Sequence, residues 1–219
     1  MCNHGNEQRE VGFQKRMFSS TEESYGINEM ELLRYYLLVG LVTHKVVWEV
    51  LKRQQGRAST ERRPSRSFRL TLVKAAKISV FLGIVAQTVV ADVLPITQDS
   101  FTLRILGAAV YTVGLLVAIL GRIHLDKNWT DIETPQVLSG QAVVSNGLYH
   151  YIRHPIYVGD LLLLLGLELS LNSWLVTAVG LMAPIVLWQA VREERMLVKN
   201  LPGYAEYCST TRRFIPFVI

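Results

Sequence analysis

A short polar segment that ends in a proline-started helix carries the densest chemistry in this sequence. It runs from Gly147 to Asp160, reads Gly-Leu-Tyr-His-Tyr-Ile-Arg-His-Pro-Ile-Tyr-Val-Gly-Asp, and is followed directly by the apolar run Leu161–Leu167. Proline favours the first turn of a helix, and the residue before it favours an extended backbone. We therefore expect a loop that ends at His154 and a helix that begins near Pro155. The free N–H groups of that first turn, with the positive end of the helix dipole, form a site for an anionic group.

A second cluster of charged residues stands after a pair of apolar runs. Tyr157–Leu171 and Trp174–Val191 are joined by only Asn172 and Ser173, so the two runs predict an antiparallel helical hairpin. A hairpin returns the chain to the side from which it started. The acidic pair Glu193–Glu194 should therefore lie on the same face of the protein as His154.

The distribution of apolar residues predicts the fold class. Half of the 219 residues are hydrophobic, and they fall in long runs that a soluble domain of this size would not need. We predict an all-α integral membrane protein, multi-pass, with about five transmembrane helices that include the C-terminal hairpin. The candidate spans are Met30–Leu51, Ile78–Val93 with a beginning near Leu70, Leu103–Ile123, Tyr157–Leu171 and Trp174–Val191.

The charged connections predict the domain organisation and the orientation in the membrane. Residues 1–28 form a polar extension, residues 29–124 hold three spans with a basic loop over 52–77, and residues 125–219 hold a long loop, the hairpin and a charged tail. A local excess of Lys and Arg marks the cytosolic side. The basic loop, the long loop and the tail then share the cytosolic face, and the N-terminus lies on the opposite side.

The net charge, the placement of the basic residues and the two cysteines indicate which kinds of partner to expect. The formal net charge is +5, but the basic residues flank apolar runs and form no patch with interleaved aromatic residues. This pattern predicts contact with membrane lipids and no nucleic-acid partner. Cys2 and Cys208 are far apart and have no metal-ligand spacing, so no metal site or disulfide framework is expected.

Short motifs follow one another in a fixed order on both sides of the predicted hairpin. Upstream are Leu125-x-x-Asn128-Trp129, Val143-Val144, Gly147-x-Tyr149 and Arg153-His154-Pro155-x-Tyr157. Downstream are Glu193-Glu194-x-x-Leu197, Tyr204-x-x-Tyr207 and Arg213-Phe214-Ile215-Pro216. Over residues 125–217 this ordered set resembles the integral-membrane methyltransferases, which include isoprenylcysteine carboxyl methyltransferases and phospholipid N-methyltransferases.

The resemblance implies S-adenosylmethionine as the methyl donor. No glycine-rich turn follows a strand pattern, so a Rossmann-type site is not expected. The resemblance places one member of the acidic pair, either Glu193 or Glu194, at the cofactor, and Gln141 stands where the prenylcysteine enzymes carry a histidine. The cofactor-binding residues that it implies are Gln141, Ala142, Val143, Val144, Tyr149, His154, Pro155, Ile156, Tyr157, Glu193 and Glu194.

The chemistry of these residues matches the parts of the cofactor. The N-terminal turn at Pro155 with His154 suits its carboxylate, and a glutamate suits its ammonium or ribose hydroxyls. Val143, Val144 and Tyr149 suit packing against its adenine.

Methyl transfer by in-line displacement requires the protein mainly to align the nucleophile with the methyl group and to exclude water. We expect a lipophilic acceptor that enters from the bilayer between the hairpin and neighbouring helices. If the acceptor is a carboxylate, Arg153 or Arg192 would orient it. If it is a lipid amine, Glu193, Glu194 or His150 would take its proton.

Two alternative functions fit parts of the same pattern. Arg153-His154-Pro155-x-Tyr157-x-Gly159-Asp160 is similar to sterol and steroid reductases, which use NADPH, although those typically have Asn where this chain has Ile156. A non-catalytic membrane scaffold could carry the same charges as an interfacial belt of ion pairs. A scaffold predicts that the regions of His154 and Glu193 pack against each other without a cavity.

Overall fold

The computed structural model describes residues 29–55, 68–90, 93–129 and 140–215, and these residues form helices and connecting turns with no strands. The predicted polar extension, residues 56–67 of the basic loop, residues 91–92, residues 130–139 of the long loop and Pro216–Phe217 lie outside the described residues. The helices are α1 (29–55), α2 (Phe68–Val89), α3 (Phe101–Leu125), α4 (Pro155–Ser170), α5 (Val176–Asn200) and α6 (Tyr204–Thr210). Two 3₁₀ turns, Asp126–Asn128 and Gly147–His150, stand between α3 and α4.

All five predicted apolar runs are helical, so the predicted all-α class is confirmed for the described residues. Two predicted boundaries are wrong. Helix is present over 52–55 and 68–77, so the predicted loop over 52–77 is shorter than expected. α5 also continues through Glu193 and Glu194 to Asn200. In both places Lys, Arg, Glu and Leu, which have high helix propensity, extend a helix beyond its apolar part.

Two of the described helices are long and apolar enough to cross a membrane. They are Thr71–Val89, with mean hydropathy 1.6, and Phe101–Asn128, with mean hydropathy 2.2. Only 6% of the first window is buried within the fold, so side chains such as Leu72, Ile78 and Leu82 present their apolar surface outward. A continuous exposed apolar surface of this kind is typical of contact with lipid, and it indicates an integral membrane protein. The number of five spans remains a prediction.

Close packing of α3 against α4 forms the centre of the molecule. A Cβ atom at Gly114 would lie 2.2 Å from the backbone nitrogen of Leu163, and one at Gly107 would lie 2.4 Å from that of Ser170. From the other helix, a Cβ at Gly166 would lie 2.1 Å from the backbone nitrogen of Tyr111. These small residues therefore let the two backbones meet.

α1 packs against this helix pair through an apolar cluster and one buried hydrogen bond. Leu37 and Leu41 of α1 pack with Leu163 and Leu167 of α4. The Tyr111 hydroxyl of α3 donates a hydrogen bond of 2.7 Å to the carbonyl of Leu37. Because an unpaired polar group costs free energy in an apolar interior, this bond fixes the position of α1 along α3.

The turn of the hairpin is fixed by polar contacts with α2 and the chain before α3. Glu168 is buried near the end of α4 and accepts a 2.7 Å hydrogen bond from the Gln87 side chain of α2. The Asn172 side chain donates to the carbonyl of Thr97 at 2.7 Å. Glu168 therefore lies near the hairpin turn and is also paired within the helix bundle.

We predict that Gly166→Ala destabilises the protein by about 1–3 kcal/mol, because its Cβ would collide with the α3 backbone and force the helices apart. Gly180→Ala in α5 is the matched control, since nothing lies within 4 Å of the Cβ that it adds. Thermal unfolding of both variants in lipid nanodiscs measures the difference. Equal stability of the two variants would show that the close approach of α3 and α4 does not occur.

Candidate active site

The loop before α4, the first turns of α4, the second half of α5 and the chain around α6 line a cavity of about 140 Å³. α1 contributes one wall residue, Trp48. The lining residues are Trp48, Leu125, Asn128, Trp129, Gln141, Ala142, Val143, Val144, Tyr149, Arg153, His154, Ile156, Tyr157, Asp160, Gln189, Glu193, Leu197, Leu201, Tyr204 and Tyr207.

The start of α4 has the geometry that its proline predicts. Pro155 is the first helical residue, and His154 precedes it with φ −124° and ψ 54°. The N–H groups in the first turn of a helix have no acceptor within the helix, and no side chain caps them here. Ile156 and Tyr157 belong to that turn and line the cavity. The cavity is therefore next to the positive end of the α4 dipole.

Asn128 positions the loop that forms one wall of the cavity. Its side-chain oxygen accepts a 2.8 Å hydrogen bond from the backbone N–H of Ala142, and its carbonyl accepts one of 3.1 Å from the Gln141 side chain. The neighbouring ring of Trp129 lies 4.6 Å from the Arg122 guanidinium. The side chain of Gln55, near the end of α1, donates to the Trp129 carbonyl at 2.6 Å. These contacts hold residues 141 and 142 in the wall.

The two adjacent glutamates of α5 have different environments. Glu193 lines the cavity and accepts a 2.8 Å hydrogen bond from the Tyr157 hydroxyl. Glu194 is buried beside the cavity, where it binds Arg153 at 2.8 Å, His154 at 3.1 Å and Arg213 at 2.8 Å. Consecutive residues of a helix point about 100° apart, so one carboxylate faces the cavity and the other faces the C-terminal segment.

The electrostatics of the Glu194 cluster keep this carboxyl ionised. Burial alone would raise its pKa, but the hydrogen bonds from His154, Arg213 and Arg153 outweigh burial and hold the pKa of Glu194 well below its usual range. The same hydrogen bond raises the pKa of Arg213. The cluster is therefore a charged network at neutral pH, and its carboxylate is already occupied by partners.

The C-terminal segment is attached to the loop before α4 through its backbone as well. The N–H of Arg153 donates to the carbonyl of Arg212 at 2.8 Å, and the N–H of His154 donates to that of Arg213 at 3.2 Å. The Arg153 guanidinium also donates to the carbonyls of Cys208 and Thr211. The segment after α6 is thus hydrogen-bonded directly behind the start of α4.

Aromatic side chains support the same region. The His154 ring stacks with those of Tyr157 at 5.2 Å and Phe214 at 5.6 Å. The Tyr207 hydroxyl donates to the carbonyl of Tyr149 at 2.6 Å, and burial raises the pKa of Tyr207 to about 12. Burial also raises the pKa of Tyr149. Both hydroxyls are therefore protonated at neutral pH.

The comparison with known families agrees with this geometry. Residues 102–202 match the family model described as phospholipid methyltransferase, and the segment contains α3, the loop, the hairpin and both glutamates. The resemblance to integral-membrane methyltransferases is therefore confirmed over this segment.

Three further similarities extend the comparison. The chain is 38% identical over 117 residues to the cobalt-zinc-cadmium resistance protein CzcN of Cupriavidus metallidurans, which is 52% of this chain and 48% of that protein. It is 29% identical over 119 residues to the nickel-cobalt-cadmium resistance protein NccN of Alcaligenes xylosoxydans xylosoxydans, which is 51% of this chain and 52% of that protein. The chain thus spans about half the length of these curated relatives. The structure of the eukaryotic isoprenylcysteine carboxyl methyltransferase is also similar, with 20% identity, a TM-score of 0.49, and coverage of 70% of this chain and 55% of that one.

Most of the predicted cofactor residues lie at one cavity. Pro155 and Glu194 do not line it, although both are adjacent to residues that do. The predicted cofactor residues that line it are Gln141, Ala142, Val143, Val144, Tyr149, His154, Ile156, Tyr157 and Glu193.

The residues predicted to handle the acceptor are separated in the structure. Arg153 and Glu193 line the cavity. Arg192 is exposed outside the lining, and its guanidinium lies over the Trp188 ring at 5.6 Å. His150 is exposed and packs edge-on against the ring of Tyr151. The rotation of α5 that turns Glu193 inward necessarily turns Arg192 to another side.

Four residues that line the cavity are neither predicted site residues nor members of the methyltransferase-like motifs: Trp48, Asp160, Gln189 and Leu201. Trp48 belongs to α1, far from the motifs in sequence, and Gln189 lies inside an apolar run. Asp160 ends the segment that begins at Gly147, and among the sequence patterns only the reductase-like motif includes it. An acidic residue one turn inside an apolar helix is costly in a membrane, and that cost was the available signal for a functional position.

The cavity also bears on the scaffold alternative. His154 and Glu193 both line it, whereas a scaffold predicts that these two regions pack without a space between them. Among the described residues, no group of three or more His, Cys, Asp or Glu side chains is placed to hold a metal ion.

We predict that Glu194→Gln lowers the free energy of unfolding by about 3 kcal/mol or more, because it leaves buried positive charge without its counter-charge. Because the folded-state pKa of Glu194 is depressed, its contribution is fully present above its ordinary pKa of about 4.5 and is lost as the pH falls toward the folded value. The stability difference between wild type and variant should therefore shrink between about pH 6 and about pH 3.

Glu206→Gln is the control for this prediction, since it removes the same charge from an exposed position on α6. Denaturation of the three proteins across that pH range in nanodiscs supplies the measurement. A pH-independent difference between wild type and Glu194→Gln would contradict the charged state of the cluster.

Proposed function

We propose that this protein transfers a methyl group from S-adenosylmethionine to a lipophilic acceptor at the cytosolic face of a membrane. The observation that carries the proposal is one cavity that is lined by both the first turn of α4 and Glu193, which lie in the segment that matches the phospholipid methyltransferase family model. The first offers N–H groups to an anion, and the second offers a carboxylate to a cation.

The donor set fits the cofactor part by part. The N–H groups of Ile156 and Tyr157, at the positive end of α4, suit the carboxylate of the cofactor. The Glu193 carboxylate suits its ammonium, because Glu193 faces the cavity and is held in place by the Tyr157 hydroxyl. Glu194 is committed to its three buried partners, and we therefore assign the ammonium to Glu193.

The remaining walls suit the flat and sulfur-bearing parts of the cofactor. Val143, Val144 and Leu201 provide apolar surface for the adenine, and the rings of Tyr149 and Tyr204 provide faces that attract positive charge. When bound, the cofactor supplies an electrophilic methyl group. The protein then has to hold the acceptor in line with that methyl group and keep water out.

The surroundings of the cavity support a lipophilic acceptor and a cytosolic site. α1, α4 and α5 all contribute lining residues, and we infer that an acceptor dissolved in the bilayer approaches the cavity between these helices. Arg153 lines the cavity, and Arg213 of the tail binds Glu194 beside it. Such a concentration of arginine at the end of apolar helices favours the cytosolic side. The N-terminus of α1 would then lie on the opposite side.

The first test is ligand binding by the purified full chain in nanodiscs. We expect S-adenosylhomocysteine, the product of the donor, to bind in isothermal titration, and NADPH not to bind. This pair of ligands separates a methyltransferase from the reductase alternative. Binding of NADPH alone would overturn the proposal, and binding of neither ligand would favour a scaffold.

We predict that Glu193→Gln weakens S-adenosylhomocysteine binding about tenfold or more, because the ammonium of the ligand loses a charged partner. Glu206→Gln, which removes a carboxylate from an exposed part of α6, should leave the affinity unchanged. The same titration measures both variants. Wild-type affinity in Glu193→Gln would refute the assigned role.

A further inference from the structure

One side of the cavity is held by a helix that precedes the segment matched by the family model. Trp48, Lys52 and Gln55 follow one another along α1 at spacings of four and three residues, so they lie on one face of its last turns. Trp48 lines the cavity, and the other two residues contact the turn after α3. The matched segment covers residues 102–202, so this face of α1 lies outside it.

The turn after α3 has a backbone conformation that depends on contacts with its surroundings. α3 ends at Leu125, and Asp126 then has φ 44° and ψ −124°, a combination that residues with a side chain rarely adopt. The Arg122 guanidinium donates to the Asp126 carbonyl at 3.0 Å and to the side-chain oxygen of Gln55 at 3.3 Å. The turn is therefore tied both to α3 and to the end of α1.

The side-chain amide of Gln55 also binds the turn directly. Its nitrogen donates to the carbonyl of Lys127 at 2.8 Å and to that of Trp129 at 2.6 Å. These carbonyls belong to the residues before and after Asn128. The two hydrogen bonds therefore hold the backbone on both sides of Asn128.

Asn128 transfers this support to the wall of the cavity. Its side-chain oxygen accepts a 2.8 Å hydrogen bond from the backbone N–H of Ala142, and its carbonyl accepts one of 3.1 Å from the Gln141 side chain. Val143 and Val144 follow directly and line the cavity. Both are proposed above to pack against the adenine. A continuous set of hydrogen bonds thus leads from α1 to the adenosine end of the proposed donor site.

We propose that Gln55 of α1 is a positioning residue for the adenosine part of the methyl donor. It acts through the turn after α3 and through Asn128, which place the wall formed by residues 141–144. The amino-acid end of the donor, assigned to Glu193 and the start of α4, does not depend on this contact. The proposal rests on the proposed function, and it adds a helix outside the matched segment to the donor site.

Pre-organisation explains why such a contact affects binding. A loop that is already ordered loses less conformational entropy when a ligand binds to it. The Lys52 ammonium lies over the Trp129 ring at 5.7 Å and the Arg122 guanidinium at 4.6 Å, and these contacts also hold the turn. Without the two hydrogen bonds from Gln55, the ligand itself would have to order the turn. Its binding would then weaken by the free energy of that ordering.

The first test examines the wall in the absence of any ligand. Hydrogen exchange of the full chain in nanodiscs is followed by mass spectrometry in Gln55→Met, which keeps the length of the side chain and removes its N–H donors. We expect the amides of residues 141–146 to exchange about fivefold faster than in wild type, with residues 157–163 of α4 unchanged. Gln54→Met, the same substitution at the exposed neighbouring position, should exchange as wild type does. Unchanged exchange of residues 141–146 in Gln55→Met would overturn the proposal.

The second test separates the two ends of the donor. S-adenosylhomocysteine carries both ends, whereas methylthioadenosine keeps the adenosine and the thioether and lacks the amino-acid end. In isothermal titration, Gln55→Met should weaken the binding of both ligands by the same factor, about fivefold, because they share the adenosine part. Gln54→Met should bind both as wild type does, and Glu193→Gln should weaken only S-adenosylhomocysteine. The proposal is wrong if Gln55→Met keeps wild-type affinity for methylthioadenosine.

Gln55→Glu identifies the atoms of Gln55 that act. It keeps an oxygen for the Arg122 guanidinium and removes the N–H donors to the two carbonyls. We expect it to behave as Gln55→Met in both tests. Wild-type behaviour would contradict the proposal, because the contact with Arg122 would then be sufficient. If wild type binds neither ligand, the proposed function fails, while the exchange measurement still decides whether Gln55 positions the wall.

Discussion

A buried carboxylate, that of Glu194, is the interaction on which the rest of the site depends. It binds Arg153 and His154 from the loop before α4, and Arg213 from the segment after α6. The Arg153, His154 and Glu194 side chains are all nearly inaccessible to solvent, and Glu194 cannot be removed without leaving the buried Arg153 guanidinium without its counter-charge. The cluster therefore fixes the relation between the two chain segments that close the cavity. Its burial also means that Glu194 supports the site from behind its wall.

The site also depends on the close approach of α3 and α4. Their backbones meet at Gly107, Gly114, Gly159 and Gly166, where any larger side chain would collide with the opposite helix. This contact aligns the end of α3, which leads to Asn128 and Trp129, with the beginning of α4 at Pro155. One wall of the cavity comes from each of these ends. Small residues in the middle of the bundle thus determine the distance between functional groups at its edge.

The sequence predicted those features that depend on local chemistry. The helix start at Pro155 and the hairpin over Asn172–Ser173 follow from the properties of single residues or short runs. The resemblance then predicted most of the cavity lining, since nearly all of the cofactor residues that it implied are there. Trp48 and Gln189 could not be predicted in this way. Their position depends on how α1 and α5 are rotated against the other helices, and a run of apolar residues leaves that rotation undefined.

The different environments of Glu193 and Glu194 show the limit of a motif most clearly. Two consecutive glutamates at the end of an apolar run are equivalent as sequence, and either one could meet a cofactor ammonium. On a helix they are separated by about 100°, so a single cavity can receive only one of them when the other side is covered. The covering element is the C-terminal segment at Arg212–Phe214, which is hydrogen-bonded to Arg153 and His154. The role of each glutamate is therefore decided by a contact made some twenty residues further along the chain, and the same contact leaves the carboxylate of Glu193 available to the cavity.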